Sequence, residues 1–262
     1  VITVRIIILY KKAAAAFLLV VLSFVIIFRL MASPPILPIF SQQDRLLPIY
    51  RVACDKKRLS FTFDAAWGAD QTPLILNILD RYNIKTTFFL VGFWIEDYPE
   101  MAKEIVKRGH EIGNHSSTHP HMSWLSEQEI WKELEHTHKT IKDYTGFEAE
   151  LFRPPFGDYN NRLIETCEKF GYKVVQWDVD SLDWKNLSAS AIADRVLKKV
   201  QKGSIVLFHN NGKNTPQALI SIIENLQSRG YEIVPVSQLI IKHNYYIDNN
   251  GEQKPLPVQE TD

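Results

Sequence analysis

The chain has 262 residues, with Lys+Arg 30 balancing Asp+Glu 30, and 45% hydrophobic against 23% charged residues. That balance belongs to a globular protein and excludes a wholly disordered chain, a collagen and a polytopic membrane protein. There is no net basic field to draw nucleic acid by counterion release, so no nucleic-acid partner is expected. The cysteines, Cys54 and Cys167, are too few for a disulfide scaffold or a four-Cys zinc site. They read as free thiols, with pairing in an oxidising compartment as the alternative.

At the N-terminus, Ala13 to Phe28 (AAAAFLLVVLSFVIIF) is uncharged, and Ser23 is its one polar side chain. Leu30 and Met31 extend the run towards the roughly 20 apolar residues that cross a bilayer. Arg5, Lys11 and Lys12 precede it, which puts the N-terminus inside and the rest of the chain outside. Residues 1–31 are therefore expected to be a single-pass membrane anchor or a signal segment. Met31-Ala32-Ser33 is a poor cleavage site and favours the anchor; cleavage would make the protein secreted. Residues 32–51, with Pro34, Pro35, Pro38 and Pro48, read as a linker. A folded domain is expected over 52–242 and a flexible tail over 243–262.

Within the domain, strands and helices alternate. Leu59 to Phe63 is a β-rich run. Thr72-Pro73 opens a helix with Thr as N-cap. Lys85 to Val91 is a strand, and a helix runs from Pro99 to Gly109. Ser126 and Glu129 form a capping box for a long helix closed near Gly146. Lys173 to Trp177 and Ser204 to Phe208 are continuous apolar runs, the pattern of buried parallel strands. A helix capped by Ser188 lies between them. Thr215-Pro216 starts a helix that Gly230 ends, and Tyr231 to Val236 is the last strand. Repeated βα units predict an α/β fold with a parallel sheet, open or closed into a barrel. Functional groups then gather beyond the carboxyl ends of the strands.

Polar residues cluster at those ends. Asp64 follows LSFTF. His115 and His119 in HSSTH are spaced to face one metal ion, although surface pairs at this spacing are common by chance. Arg153 sits in the Pro-locked loop RPPFGD. Asp178, Asp180 and Asp183 follow KVVQW, with Trp184 beside them. A calcium loop lacks its Gly and terminal Glu here; a glycosidase carboxylate pair is the other reading. His209 ends the strand SIVLF, a good position for an acid of tuned pKa.

In order, these pieces resemble the polysaccharide deacetylases, carbohydrate esterase family 4, also called the NodB homology domain. The motif TFDDG corresponds to Thr62-Phe63-Asp64-Ala65-Ala66, and H(S/T)xxH to His115–His119. RxPYG corresponds to Arg153–Gly157 with Phe156 for Tyr, DxxDW to Asp180–Trp184, and Leu-x-His to Leu207–His209. The stretch FDAAWGAD is similar to the sporulation-associated branch. The resemblance implies a distorted (β/α) barrel and metal-dependent removal of acetyl groups from peptidoglycan or a chitin-like glycan. Zinc is the implied ion, with cobalt or nickel as alternatives, and an N-acetylated glycan is the implied partner of a monomer. It implies Asp64 as base, His209 as acid held by Asp183, and Arg153 orienting a catalytic carboxylate. Oxyanion stabilisation is implied near Phe156, and Trp184 and Leu207 would wall the acetyl pocket.

The metal ligands implied are His115, His119 and the second Asp of TFDD. That last position is Ala65, which carries no donor. Asp70, in the following loop, is the candidate replacement, and capping the helix at Thr72 is its alternative role. A catalytically impaired wall-binding or structural protein that keeps the barrel is the competing function.

Overall fold

The computed structural model describes residues 16–26, 28–29 and 45–257. The chain divides into two units, Val1–Asp44 and Arg45–Asp262. In the first, residues 16–26 and 28–29 are helical (α1), and their side chains are exposed. Among the described residues no helix is long and apolar enough to cross a membrane. The rest of the expected anchor and most of the linker lie outside the described residues.

The second unit is built on β2 (Arg58–Ala65), in which all residues but Arg58 are buried. Side chains alternate across a strand. Leu59, Phe61, Phe63 and Ala65 join the core under the helices. Ser60, Thr62 and Asp64 turn to the opposite face, where Phe89, Ile205 and Val175 belong to a second, smaller core. Being covered on both faces is why the strand runs apolar almost without break.

Around β2 the order is β6 (Lys173–Val174), β5 (Leu151–Phe152), β4 (Glu111–Asn114), β3 (Thr87–Leu90), β2, β8 (Ile205–His209) and β7 (Val179–Asp180), with β9 (Glu232–Ile233) also paired to β2. Every ladder in this sheet is parallel. β6 and β7 end the sheet, so the expected distorted barrel is a curled parallel sheet left open. Helices cover it: α2 (Thr72–Arg81), α3 (Gly92–Asp97), α4 (Pro99–Lys107), α5 (Glu127–Thr145), α6 (Asn161–Phe170), α7 (Ala189–Lys199), α8 (Thr215–Ser228) and the short α9 (Val236–Leu239).

The capping box at Ser126–Glu129 and the Ser188 cap form as expected, and α5 ends on left-handed Gly146. The Thr-Pro starts differ from expectation. Gln71 and Asn214 occupy the N-cap positions, and neither Thr caps its helix. Both threonine hydroxyls are engaged elsewhere: Thr72 accepts from Asn210, and Thr215 donates to Asp183.

The ends of the domain also depart from the sequence reading. From Ile49 the chain is already in the fold, bridged to Val175. After Lys242, where fraying was expected, β10 (Tyr245–Ile247) and β11 (Glu252–Pro255) form a hairpin that pairs with β1 (Arg51–Val52). The Asp248 carboxylate closes its turn by accepting from the amides of Asn250 and Glu252. Gln253 is fully buried and exchanges hydrogen bonds of 2.8 Å with both backbone groups of Ile241. A polar side chain so placed stays buried because its donors and acceptors are matched.

Candidate active site

Asp64, next to last in β2, and His209, the last residue of neighbouring β8, are in register with each other. Parallel strands in register place both side chains on the same face, about 4.8 Å apart in backbone spacing. They line a cavity of about 620 Å³ with His115, His119, Phe156, Asp183, Trp184 and Leu207. Arg153 is wholly buried behind it. Of the other site residues expected from the sequence, Asp70 is not among those that line it.

Arg153 holds Asp64. Its Nη1 donates to Asp64 Oδ1 at 2.7 Å and to Thr62 Oγ1 at 2.8 Å, and Nη2 donates to the Gln176 carbonyl at 3.0 Å. The guanidinium also lies 4.1 Å from the Phe89 ring centroid. Burial by itself would raise the pKa of Asp64, but the charges of Arg153, then His115 and His209, outweigh it and hold the carboxyl below its usual range. Removing the guanidinium leaves a buried charge without compensation. Arg153→Met should therefore cost about 3–5 kcal/mol, read as a fall in denaturant midpoint. A loss below about 1 kcal/mol would show that the pair is not the buried clamp drawn here.

Asp183 holds His209 in the same manner. Its Oδ1 is 2.8 Å from His209 Nδ1; its Oδ2 accepts from the His209 amide at 2.9 Å and from Thr215 Oγ1 at 2.7 Å. A carboxylate only accepts, so Nδ1 carries the proton. Burial would lower the pKa of His209; the hydrogen bond and charge of Asp183, with Asp64 and Asp180 behind them, raise it instead. Gly212 lets this network close, since a Cβ there would stand 2.9 Å from Asp183 Oδ2 and collide with Thr215 Oγ1.

His115 Nδ1 is 2.7 Å from the Arg153 carbonyl, so it donates and leaves Nε2 with its lone pair, 3.5 Å from Asp64 Oδ2. The His119 ring is 5.0 Å from that of His115, and its buried Nδ1 has no hydrogen-bond partner. Burial lowers both pKa values, His119 to about 4. These are two imidazoles of the kind a divalent ion takes. The third donor is missing: Ala65 is fully buried and turned into the helix-side core. Asp70 does not replace it, being exposed and outside the cavity lining. Trp94 Nε1 and Asn210 Nδ2 both donate to the Gly68 carbonyl and fix the loop that carries Asp70. Among the described residues, no three His, Cys, Asp or Glu side chains are grouped to hold a metal. The donors present do not fit a catalytic site with three protein ligands.

Several site residues were not legible in the sequence. Ser116 and His119 both adopt left-handed backbone, at φ 68° and 57°, which is costly for residues other than Gly. Glu133, on α5, holds this loop: it accepts from the amides of Ser117 and Thr118 at 2.7 and 2.8 Å and from Thr118 Oγ1 at 2.8 Å. No short-range pattern links Glu133 to the loop, because the helix packing brings them together. Trp67 meets His119 edge-on at 5.0 Å, and Trp177 lines the cavity. Thr215 carried a visible signal, read as a helix cap.

Comparison with known proteins agrees with this geometry. A family model described as polysaccharide deacetylase matches residues 51–175. The chain is 34% identical over 196 residues to a peptidoglycan-N-acetylglucosamine deacetylase of Bacillus cereus, covering 73% of this chain and 92% of that one. It is 35% identical over 193 residues to the uncharacterised protein YlxY of Bacillus subtilis, covering 74% of this chain and 60% of that one. The peptidoglycan-N-acetylglucosamine deacetylase PgdA of Listeria monocytogenes is 36% identical, and only 39% of its length is spanned. Among solved structures, a wild-type pseudoenzyme of carbohydrate esterase family 4 from Bacillus anthracis superposes with a TM-score of 0.71 at 36% identity, covering 73% of this chain and 68% of that one. A mutant of that pseudoenzyme with restored enzymatic activity superposes with a TM-score of 0.71 at 38% identity, covering 73% and 70%. With its curled parallel sheet, its two carboxylate-anchored pairs and a Bacillus cereus deacetylase matched at 34% identity over 92% of its length, the chain belongs to the polysaccharide deacetylase family.

Proposed function

We propose that the protein removes N-acetyl groups from a cell-wall glycan, peptidoglycan or chitin-like, releasing acetate and leaving a free amine on an intact chain. The observation that carries this reading is the pairing of Arg153–Asp64 and Asp183–His209 in register on adjacent strands, facing one cavity. Asp64 is ionised and accepts the proton of the attacking water. His209, its pKa raised, donates to the nitrogen of the departing sugar amine. Trp184, Leu207 and Phe156 line the space that receives the acetyl group. A carboxylate with a lowered pKa is a weak base, so slow turnover is expected. His115 and His119 offer a divalent ion two donors, one short of the usual set, and no step is assigned to a metal.

The glycosidase reading loses its second carboxylate. Of its pair, Asp180 and Asp183, both oxygens of Asp183 are engaged by His209 and Thr215, and Asp180 Oδ1 accepts from the Leu182 amide at 2.8 Å. Ala65 favours a different second reading, a catalytically impaired glycan-binding protein that keeps the fold. In either case the basic residues before Ala13–Phe28 support a domain held outside the cytoplasm.

The wild-type chain should release acetate from peptidoglycan or chitin oligomers, with an alkaline limb in its pH profile set by His209. In Asp183→Asn one of the three carboxylates facing His209 loses its charge, with Asp64 and Asp180 remaining. The imidazolium is then less favoured, its pKa falls, and the alkaline limb moves to lower pH. An unmoved limb would remove His209 from the role of acid.

A further inference from the structure

Beside the cavity stands an aromatic stack whose outer rings, Trp124 and His121, the reaction does not use. Trp124 is 78% exposed, yet it is not a loose side chain. Its ring lies 4.4 Å from that of His121 at 21°, and His121 lies 4.4 Å from Phe156 at 20°. Phe156 in turn meets His119 edge-on at 4.5 Å. The two loops that carry the stack are pinned together. Ser123 Oγ donates to Asp158 Oδ2 at 2.6 Å, Asn160 Nδ2 donates to the Ser123 carbonyl at 2.8 Å, and His121 Nδ1 stands 3.4 Å from the same Asp158 oxygen. Met122, between His121 and Ser123, is fully buried and anchors the turn.

A rigid, supported indole left open to water is a poor way to fill a surface and a good way to meet a flat ligand. It offers an apolar face with a polar N–H at its edge. A pyranose ring has the matching character, with C–H bonds on its faces and hydroxyls around its rim. The patch is one indole on a two-ring support, too small for a stable protein–protein interface. It is also continuous with the cavity, because Phe156 belongs to both stack and lining. We infer that Trp124, seated on His121 and Phe156, is a sugar-stacking subsite. It takes a ring of the same glycan strand next to the one whose N-acetyl group enters the cavity. This rests on the glycan reading above and adds to it the side chain that holds the neighbouring sugar.

The test is calorimetric titration of the full chain with the disaccharide and the tetrasaccharide of N-acetylglucosamine. The tetrasaccharide should bind the wild type more tightly than the disaccharide does. Trp124→Ala should weaken tetrasaccharide binding about tenfold, as loss of an aromatic anchor does, and Trp124→Phe should recover part of it. The thermal midpoint of each variant is measured alongside. Equal tetrasaccharide affinity in wild type and Trp124→Ala would overturn the subsite and leave the glycan reading intact. Binding of neither oligomer by the wild type would overturn both. Self-association of the wild type that Trp124→Ala abolishes, with unchanged sugar affinity, would assign the face to a second copy of the chain instead.

Discussion

Replacing Asp64 with Asn, or His209 with Ala, is expected to lower turnover by about 10²–10⁴-fold each, the range for loss of a general base or acid. The two changes should not multiply in the double variant, because both groups serve one reaction path. Their effects on the fold should differ. The side-chain amide of Asp64→Asn keeps an acceptor for Arg153 but leaves the guanidinium, 0% exposed, without a counter-charge. That variant should melt lower than wild type. The His209 side chain is about a third exposed, at 32%, and its loss leaves the buried Asp183 carboxylate without the imidazole but still with the residue-209 amide and Thr215 Oγ1 as donors, so this variant should melt lower than wild type by a smaller margin. Turnover measured well below both melting temperatures separates chemistry from stability. Wild-type rates in both variants would dismiss the pair as catalytic.

The second large effect concerns Ala65. Its methyl is fully buried in the core beneath the helices, on the face opposite Asp64. A carboxylate introduced there has no cation beside it, and an unpaired buried charge costs several kcal/mol. Ala65→Asp should therefore be clearly less stable than wild type in chelator. If the end of β2 turns so that this carboxylate joins His115 and His119, zinc supplies the missing compensation. Ligand binding to the folded state alone stabilises by mass action, so zinc should raise the melting temperature of the variant much more than that of wild type. An equal loss of stability with and without zinc would show that position 65 cannot reach the cavity.

Much of the site was legible because the chemistry sits at strand ends. Asp64, His115, Arg153, Asp183 and His209 each follow or end a short apolar run, and parallel strands bring such ends together. What escaped the sequence depends on contacts between distant segments. Glu133 reaches the HSSTH loop only because α5 packs across it. Asp70 looked well placed by distance along the chain, but it is exposed and outside the cavity lining, on a loop held by hydrogen bonds from Trp94 and Asn210 to Gly68. The helix starts show a different limit. Thr72 and Thr215 stand in good capping contexts, and tertiary partners, Asn210 and Asp183, engage their hydroxyls instead. The terminal hairpin carried a turn signal in Asn249-Asn250-Gly251 that polar composition masked. Gly251 is left-handed at φ 76°, and a Cβ there would collide with the Tyr50 ring.

On the proposed reading this cavity hydrolyses an N-acetyl amide without breaking the glycan chain. Mass spectrometry of a chitin tetrasaccharide after incubation with the protein tests this, with His209→Ala as the control. Tetrasaccharides that have lost acetyl groups are expected with wild type and not with the control. Shortened oligomers with every acetyl group retained, or an unaltered tetrasaccharide in the presence of wild type, would contradict it.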